Sequence, residues 1–171
     1  IMRIMTKTSL SVGFFLLLCL ALVSTAVGKT ADKNYKEAAA GDVEAFVQKN
    51  KGKVIVVNVF ATWCSPCVTE TPDFVKIRST YPEDGVAMLA VSIDEDKQAV
   101  LNFIKEQKIS YPVYRVGEDF TTKYKIDSVP QTYIHDRSGK LYKHIDGMTT
   151  FEELQENIEH LLASSPEPGN M

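Results

Sequence analysis

The chain is short of basic charge, of cysteine, and of the glycine and proline that dominate low-complexity sequences. Lys and Arg number 19 against 22 Asp and Glu, a formal charge of −3. Arg3 and Lys7 belong to the N-terminal segment and every acidic residue lies beyond it, so the body is more acidic than the whole. Phosphate binding needs clustered Lys and Arg, which excludes nucleic acid as a partner. Nine Gly and seven Pro exclude collagen-like repeats. With 44% hydrophobic and 24% charged residues, the composition is that of an ordinary globular protein, neither disordered nor a multispan membrane protein. No internal repeat and no G-x-G-x-x-G is present, so no bound nucleotide is expected to supply electrons. Beyond the N-terminal segment, roughly 140 residues remain, enough for one domain with its own core.

What is there begins with one long uncharged run, Leu10 to Val27 (LSVGFFLLLCLALVSTAV), preceded by Arg3 and Lys7. It ends in small residues. Ser24 and Ala26, or Ala26 and Gly28, fit the −3 and −1 positions of signal peptidase, so residues 1–28 read as an export signal with a mature start at Val27 or Lys29. At about 18 residues the run also reaches the lower limit for a bilayer span, which makes an uncleaved membrane anchor the alternative. Both readings put the body outside the cytoplasm, in a periplasm or its equivalent. Cys19 lies inside the run after Leu18, where lipid attachment would want a small residue, and reads as an apolar member of the run. That leaves Cys64 and Cys67, the C-x-x-C of WCSPC, in a compartment where disulfides form.

Residues 29–50 read as a polar extension containing a short helix capped by Asp42, with Val43, Phe46 and Val47 on one face. VIVVNVF (54–60) and Val86 to Ile93 are apolar on both faces, the mark of central strands covered on both sides. Between them, Pro66 to Thr80 is helical with Val68, Pro72 and Val75 on one side. Asp94 can cap a helix that turns Val100, Phe103 and Ile104 to a core. A short strand (Tyr111 to Val116), a short helix (Asp119 to Tyr124) and a hairpin (Thr132 to His135, Lys140 to Ile145) around Asp136-Arg137-Ser138-Gly139 follow. Thr150 and Glu153 form a capping box for a last helix bearing Phe151, Leu154, Ile158 and Leu161, and residues 163–171 read as a disordered tail. The sum is an α/β fold: a mixed central sheet flanked by helices.

At a helix start, unpaired N–H groups and the positive dipole end stabilise an anion. Cys64 should therefore carry an accessible thiolate, while Cys67, one turn in, is shielded and resolves the mixed disulfide. Pro66 suits a first turn, where its missing N–H would have had no helical partner. The same spacing also admits a structural disulfide or half of a zinc site. Zinc needs more ligands, and without a second C-x-x-C these would come from His135, His144 and His160.

VNVFATWCSPC with Glu70 and Pro72, then VSIDED, YPV and VPQTYIHDRSGKLYKHIDG, resembles the TlpA/ResA-like thioredoxin family from about Lys51 to Leu162. The resemblance implies a thioredoxin-like domain over 51–162 and an extracytoplasmic thiol–disulfide oxidoreductase, commonly a reductant in cytochrome c maturation. It implies Cys64 as nucleophile and Cys67 as resolving thiol, with Trp63 packed beside them and Ser65 and Pro66 tuning the potential. Pro72 matches a helix kink, as a proline inside a helix removes one N–H bond. Pro130 matches a cis-proline facing the cysteines, turning the Val129 backbone toward a bound peptide; by sequence alone a trans turn proline is the ordinary reading.

Glu70 stands three residues after Cys67, about 60° away around a helix, so its carboxylate could exchange a proton with that thiol. Taken alone, a helical Glu is usually a solvated surface group. Asn58 occupies the place where thioredoxin has a buried Asp, and an amide cannot ionise, so Glu70 is the candidate base; Asn58 reads equally as a satisfied polar residue of the strand. The expected partners are disulfides of exported proteins such as apocytochrome c and an upstream membrane thiol reductant, with neither cofactor nor metal. Peroxide reduction is disfavoured, since the P-x₃-T-x₂-C pattern finds Val57 and Ala61 in its Pro and Thr places. A DsbA-like oxidase would need a helical domain between Cys67 and Pro130, a stretch already used by two strands and two helices. The alternative of a different class is a Sco-like copper chaperone, which uses C-x-x-x-C and a distant His; the spacing here is one residue short.

Overall fold

A computed structural model describes residues 33–164. The expected export or anchor segment with its expected cleavage site, Cys19 and the residues beyond Ser164 lie outside them. In chain order the described elements are β1 (Tyr35–Ala38), α1 (Ala40–Lys49), β2 (Val54–Phe60), α2 (Ser65–Thr80), β3 (Val86–Ser92), α3 (Lys97–Glu106), β4 (Val113–Val116), α4 (Glu118–Tyr124), β5 (Gln131–His135), β6 (Leu141–Asp146) and α5 (Phe151–Ala163). The strands form one mixed sheet in the order β1-β4-β3-β2-β5-β6. The first four of that order run parallel, and β5 and β6 are antiparallel to their neighbours.

Every residue of β2 and β3 is buried, because helices cover both faces of the sheet. Side chains alternate across a strand. Val54, Val56 and Phe60 enter a core with α2, α3 and α5, whereas Ile55, Val57 and Val59 enter a second core beneath α1 and α4. Phe60 stacks on Phe103 of α3 at 5.3 Å between ring centres. Each large side chain so buried is worth about 1.5–3 kcal/mol. The alternation also puts Asn58 on the face that α2 covers.

The sheet begins earlier than the boundary expected at Lys51. β1 pairs with β4 from Tyr35↔Val113 to Ala38↔Val116, so the supposed extension supplies an edge strand and a packed helix. Asp42 does not cap α1. Ala39 occupies that place, and Asp42, three residues in, accepts the Ala39 N–H at 2.9 Å. Phe46 is only half-buried, unlike Val43 and Val47. Asp94 does not cap α3 either; Asp96 does, through the Gln98 N–H at 2.8 Å. At α5, Thr150 accepts the Glu153 N–H, but the Glu153 carboxylate bonds Lys143 and the Thr149 hydroxyl, so only half of the capping box forms. Helix α2 runs through Pro72, which is exposed; its buried stripe is Cys67, Glu70, Thr71, Phe74 and Ile77 rather than the Val68–Pro72–Val75 side. No helix among the described residues is long and apolar enough to cross a membrane.

Candidate active site

Strand β2 delivers the chain to the cysteines and α2 begins on them. Cys64 is the residue capping α2 and Sγ of Cys64 accepts the Cys67 N–H at 3.2 Å, so a sulfur takes the place that Ser or Asp usually holds. Ser65 and Pro66 are the first two helical residues, where Pro66 forfeits no hydrogen bond. The two cysteines are joined in a disulfide, with Cα atoms 5.2 Å apart. Cys67 is fully buried; Cys64, itself only 6% exposed, lies on a surface groove of about 370 Å³ with Trp63, Pro66, Ile93, Ile126, Asp127, Ser128 and Val129. Trp63 walls this groove next to Cys64 and is 70% exposed.

Across the groove the Val129–Pro130 peptide is cis. The carbonyl oxygen of Val129 lies 3.5 Å from Sγ of Cys64. β5 starts at the next residue and pairs with β2 from Val59↔Gln131 to Ile55↔His135, which holds the proline turn level with the start of α2. Gly147, with φ +96°, donates its N–H to the Pro130 carbonyl at 2.9 Å and pins the turn from the β6 side.

Glu70 is 2% exposed, a carboxyl in a core position of α2. Its Oε1 accepts Nδ2 of Asn58 at 2.9 Å, and its Oε2 accepts the Thr149 N–H at 3.0 Å. Asn58 also reaches Oγ1 of Thr132 at 3.4 Å. Burial holds the Glu70 carboxyl above its ordinary value near 4.5, the bonds from Thr149 and Asn58 pull the other way, and the charge of Asp73 adds to the rise. Glu70 is therefore no surface glutamate, and its partner Thr149 carried no sequence signal because the contact spans 79 positions.

A second buried carboxylate sits ahead of the cysteines. Asp94 accepts the Thr62 N–H at 3.0 Å, the Thr62 hydroxyl at 2.6 Å and the Ser92 hydroxyl at 2.7 Å, tying the end of β3 to the loop that enters Cys64. His135 is at the far end of β5 from Pro130, its Nδ1 3.3 Å from the Gly139 carbonyl oxygen. His144 stacks on Tyr133 and His160 on Tyr142. The three histidines that a metal reading would recruit are thus engaged elsewhere, and among the described residues no three His, Cys, Asp or Glu side chains are grouped to hold a metal ion.

A mixed sheet with a Cys-x-x-Cys disulfide at the first turn of α2, opposed by a cis-proline, defines a thioredoxin-like dithiol–disulfide protein. The chain belongs to the Redoxin family, which it matches over residues 26–158. It is similar to a thiol-disulfide oxidoreductase ResA of Bacillus thuringiensis subsp. konkukian, 33% identical over 112 residues, 65% of each chain. The chain thus spans just under two thirds of that relative's length. Among solved structures it resembles a thiol:disulfide interchange protein of the thioredoxin family from Chlorobium tepidum TLS at 29% identity and a TM-score of 0.63, covering 68% of this chain and 84% of that one. StoA from Bacillus subtilis is 28% identical with a TM-score of 0.55, covering 63% and 83% respectively.

Proposed function

We propose that this protein is a thiol–disulfide oxidoreductase that works outside the cytoplasm and reduces disulfides in exported proteins, apocytochrome c among them. The observation that carries the reading is the Cys64–Cys67 disulfide at the start of α2, with Cys64 on a groove faced by the Val129 carbonyl and Cys67 sealed beneath. The names of the relatives and the uncharged run before Lys29 support it.

In the reduced protein the Cys64 thiolate, held by the helix N–H groups, attacks one sulfur of the substrate disulfide. A Cys64–substrate bond forms, the substrate disulfide breaks, and the departing sulfur takes a proton. Cys67 then gives its proton to Glu70 and attacks Sγ of Cys64. The Cys64–Cys67 bond forms, the Cys64–substrate bond breaks, and the second substrate sulfur leaves as a thiolate that takes up the proton Glu70 gives up. The substrate gains two electrons and two protons; the protein is left as the disulfide. Re-reduction falls to another thiol protein, for which we propose a membrane-bound donor. Val129 and Pro130 offer backbone to an extended substrate segment, and Ser65 and Pro66 set the potential through the groups around the first turn.

The test is capture. Cys67→Ser, expressed in the native envelope, should accumulate mixed disulfides through Cys64, and identifying the linked proteins names the substrates. If only cytoplasmic proteins are captured, or none, this reading fails.

A further inference from the structure

We infer that Gln131 is a positioning residue that sets where the Val129 backbone meets a docked substrate; this rests on the oxidoreductase reading above. Gln131 is 5% exposed and lies directly after the cis-proline. Its Nε2 donates to the carbonyl of Ser128 at 3.1 Å, bridging back across Val129 and Pro130. Because that carbonyl can only accept, the nitrogen must face it, which turns Oε1 outward along the sheet. There Oε1 accepts the Tyr133 hydroxyl at 2.6 Å and lies 3.2 Å from Nε2 of His144.

Gln131 and Tyr133 share a face of β5 because strand side chains alternate, and Tyr133 pairs with His144 of β6 in register. The two rings stack at 4.3 Å and 8°. The outer hairpin therefore holds one end of the amide, and the other end holds the turn. This cluster sits on the sheet face opposite Thr132 and Glu70, so it is separate from the proton path. Gly147 fixes the Pro130 carbonyl and Gln131 fixes the Ser128 carbonyl, which leaves the Val129 peptide between two tethered neighbours. A substrate segment that pairs with that peptide meets an edge already set in place, so less ordering is lost on binding.

Such positioning acts equally on bound substrate and transition state, and so belongs in KM rather than kcat. The experiment compares wild type, Gln131→Met and Tyr133→Phe, each driven by dithiothreitol, in the reduction of insulin. It is paired with the single-turnover reaction of each reduced protein with dithiobis(nitrobenzoate), which needs no peptide pairing. Gln131→Met should raise KM for insulin about tenfold with kcat within about twofold. Tyr133→Phe should move KM in the same direction by about threefold, since it frees only the outer anchor. The small-disulfide rate should stay at the wild-type value in both. An unchanged KM in Gln131→Met overturns the assignment, as does an equal loss toward insulin and the small disulfide. Should Gln131→Met fail to fold, an unchanged KM in Tyr133→Phe overturns it instead. Wild type that reduces the small disulfide but not insulin overturns the substrate-pairing role of the turn. Wild type inactive on both removes the oxidoreductase reading itself.

Discussion

The loop that enters Cys64 and the helix that leaves it each depend on one buried carboxylate, and the two are built for different work. Asp94 meets three donors, two from Thr62 in the loop that enters Cys64 and one from Ser92 at the end of β3. Glu70 meets two donors, from Asn58 on β2 and Thr149 before α5, and belongs to the same helix turn as Cys67. A carboxylate saturated by donors from the two segments it ties together fixes geometry. One with fewer donors, raised by burial and placed on the helix that carries Cys67, suits the proton acceptor of the proposed mechanism. Both are buried, so burial alone does not separate an anchor from a base.

The largest effect removes the proposed nucleophile and tests whether chemistry resides on the loop side or the helix side. Cys64→Ser should abolish disulfide reduction, because Cys67 is fully buried and cannot reach a substrate. In the reduced wild type, brief iodoacetamide treatment followed by peptide mass analysis should find Cys64 modified well before Cys67. Residual reduction in Cys64→Ser, or labelling of Cys67 first, would reverse the roles.

Next in size is the proton transfer. Glu70→Gln should leave the first attack nearly intact and slow resolution by about 100-fold, the lower end of what a positioned acid–base group contributes. Stopped-flow quenching of the mixed disulfide reads the two steps separately. A resolution rate that does not change makes Glu70 an anchor of the same kind as Asp94.

Asp94→Ala should do the converse. With the Thr62 N–H and two hydroxyls left without their acceptor, the protein should lose about 3 kcal/mol of stability in denaturant unfolding, while resolution per folded molecule stays within about twofold. A resolution rate that falls as far as in Glu70→Gln would erase the distinction between the two carboxylates.

That distinction was only partly legible in the sequence. Glu70 was readable because helix pitch puts it about 60° from Cys67 and the resemblance favours a buried role over a surface one, and Asn58 because the resemblance places it where thioredoxin has a buried Asp. Asp94 was not. Asp94 and Asp96 both precede the α3 periodicity and either could cap it; what buries Asp94 is Thr62, 32 positions away. β1 was hidden for a related reason: a four-residue edge strand, exposed in its middle, has neither the apolar run nor the alternation that announces a strand. The central strands, both cysteines and the hairpin follow from local pattern, and the thioredoxin-like fold follows from the resemblance. The Thr149 tether and the Gln131 bridge are long-range or turn-dependent contacts that no period encodes.

The smallest effect, and the one that most directly sorts base from anchor, is the pH dependence of stability in the oxidised protein. The folded pKa of Glu70 lies above its ordinary value, chiefly through burial. The folded state therefore binds this proton more tightly than the unfolded chain does. Its contribution is fully present below the unfolded value near 4.5 and is lost as pH rises through the folded value. Glu70→Gln has no such proton, so the stability of wild type relative to the variant should be greater at about pH 5 than at about pH 8. Thermal melts of both proteins across that range measure the gap. Gln also satisfies only one of the two donors, since its NH₂ must oppose either Asn58 or Thr149, and that cost is independent of pH. The slope therefore isolates the ionisation while the offset isolates the lost bond. A gap that widens toward alkaline pH would mean that the Asn58 and Thr149 bonds outweigh burial, and Glu70 would join Asp94 as an anchor.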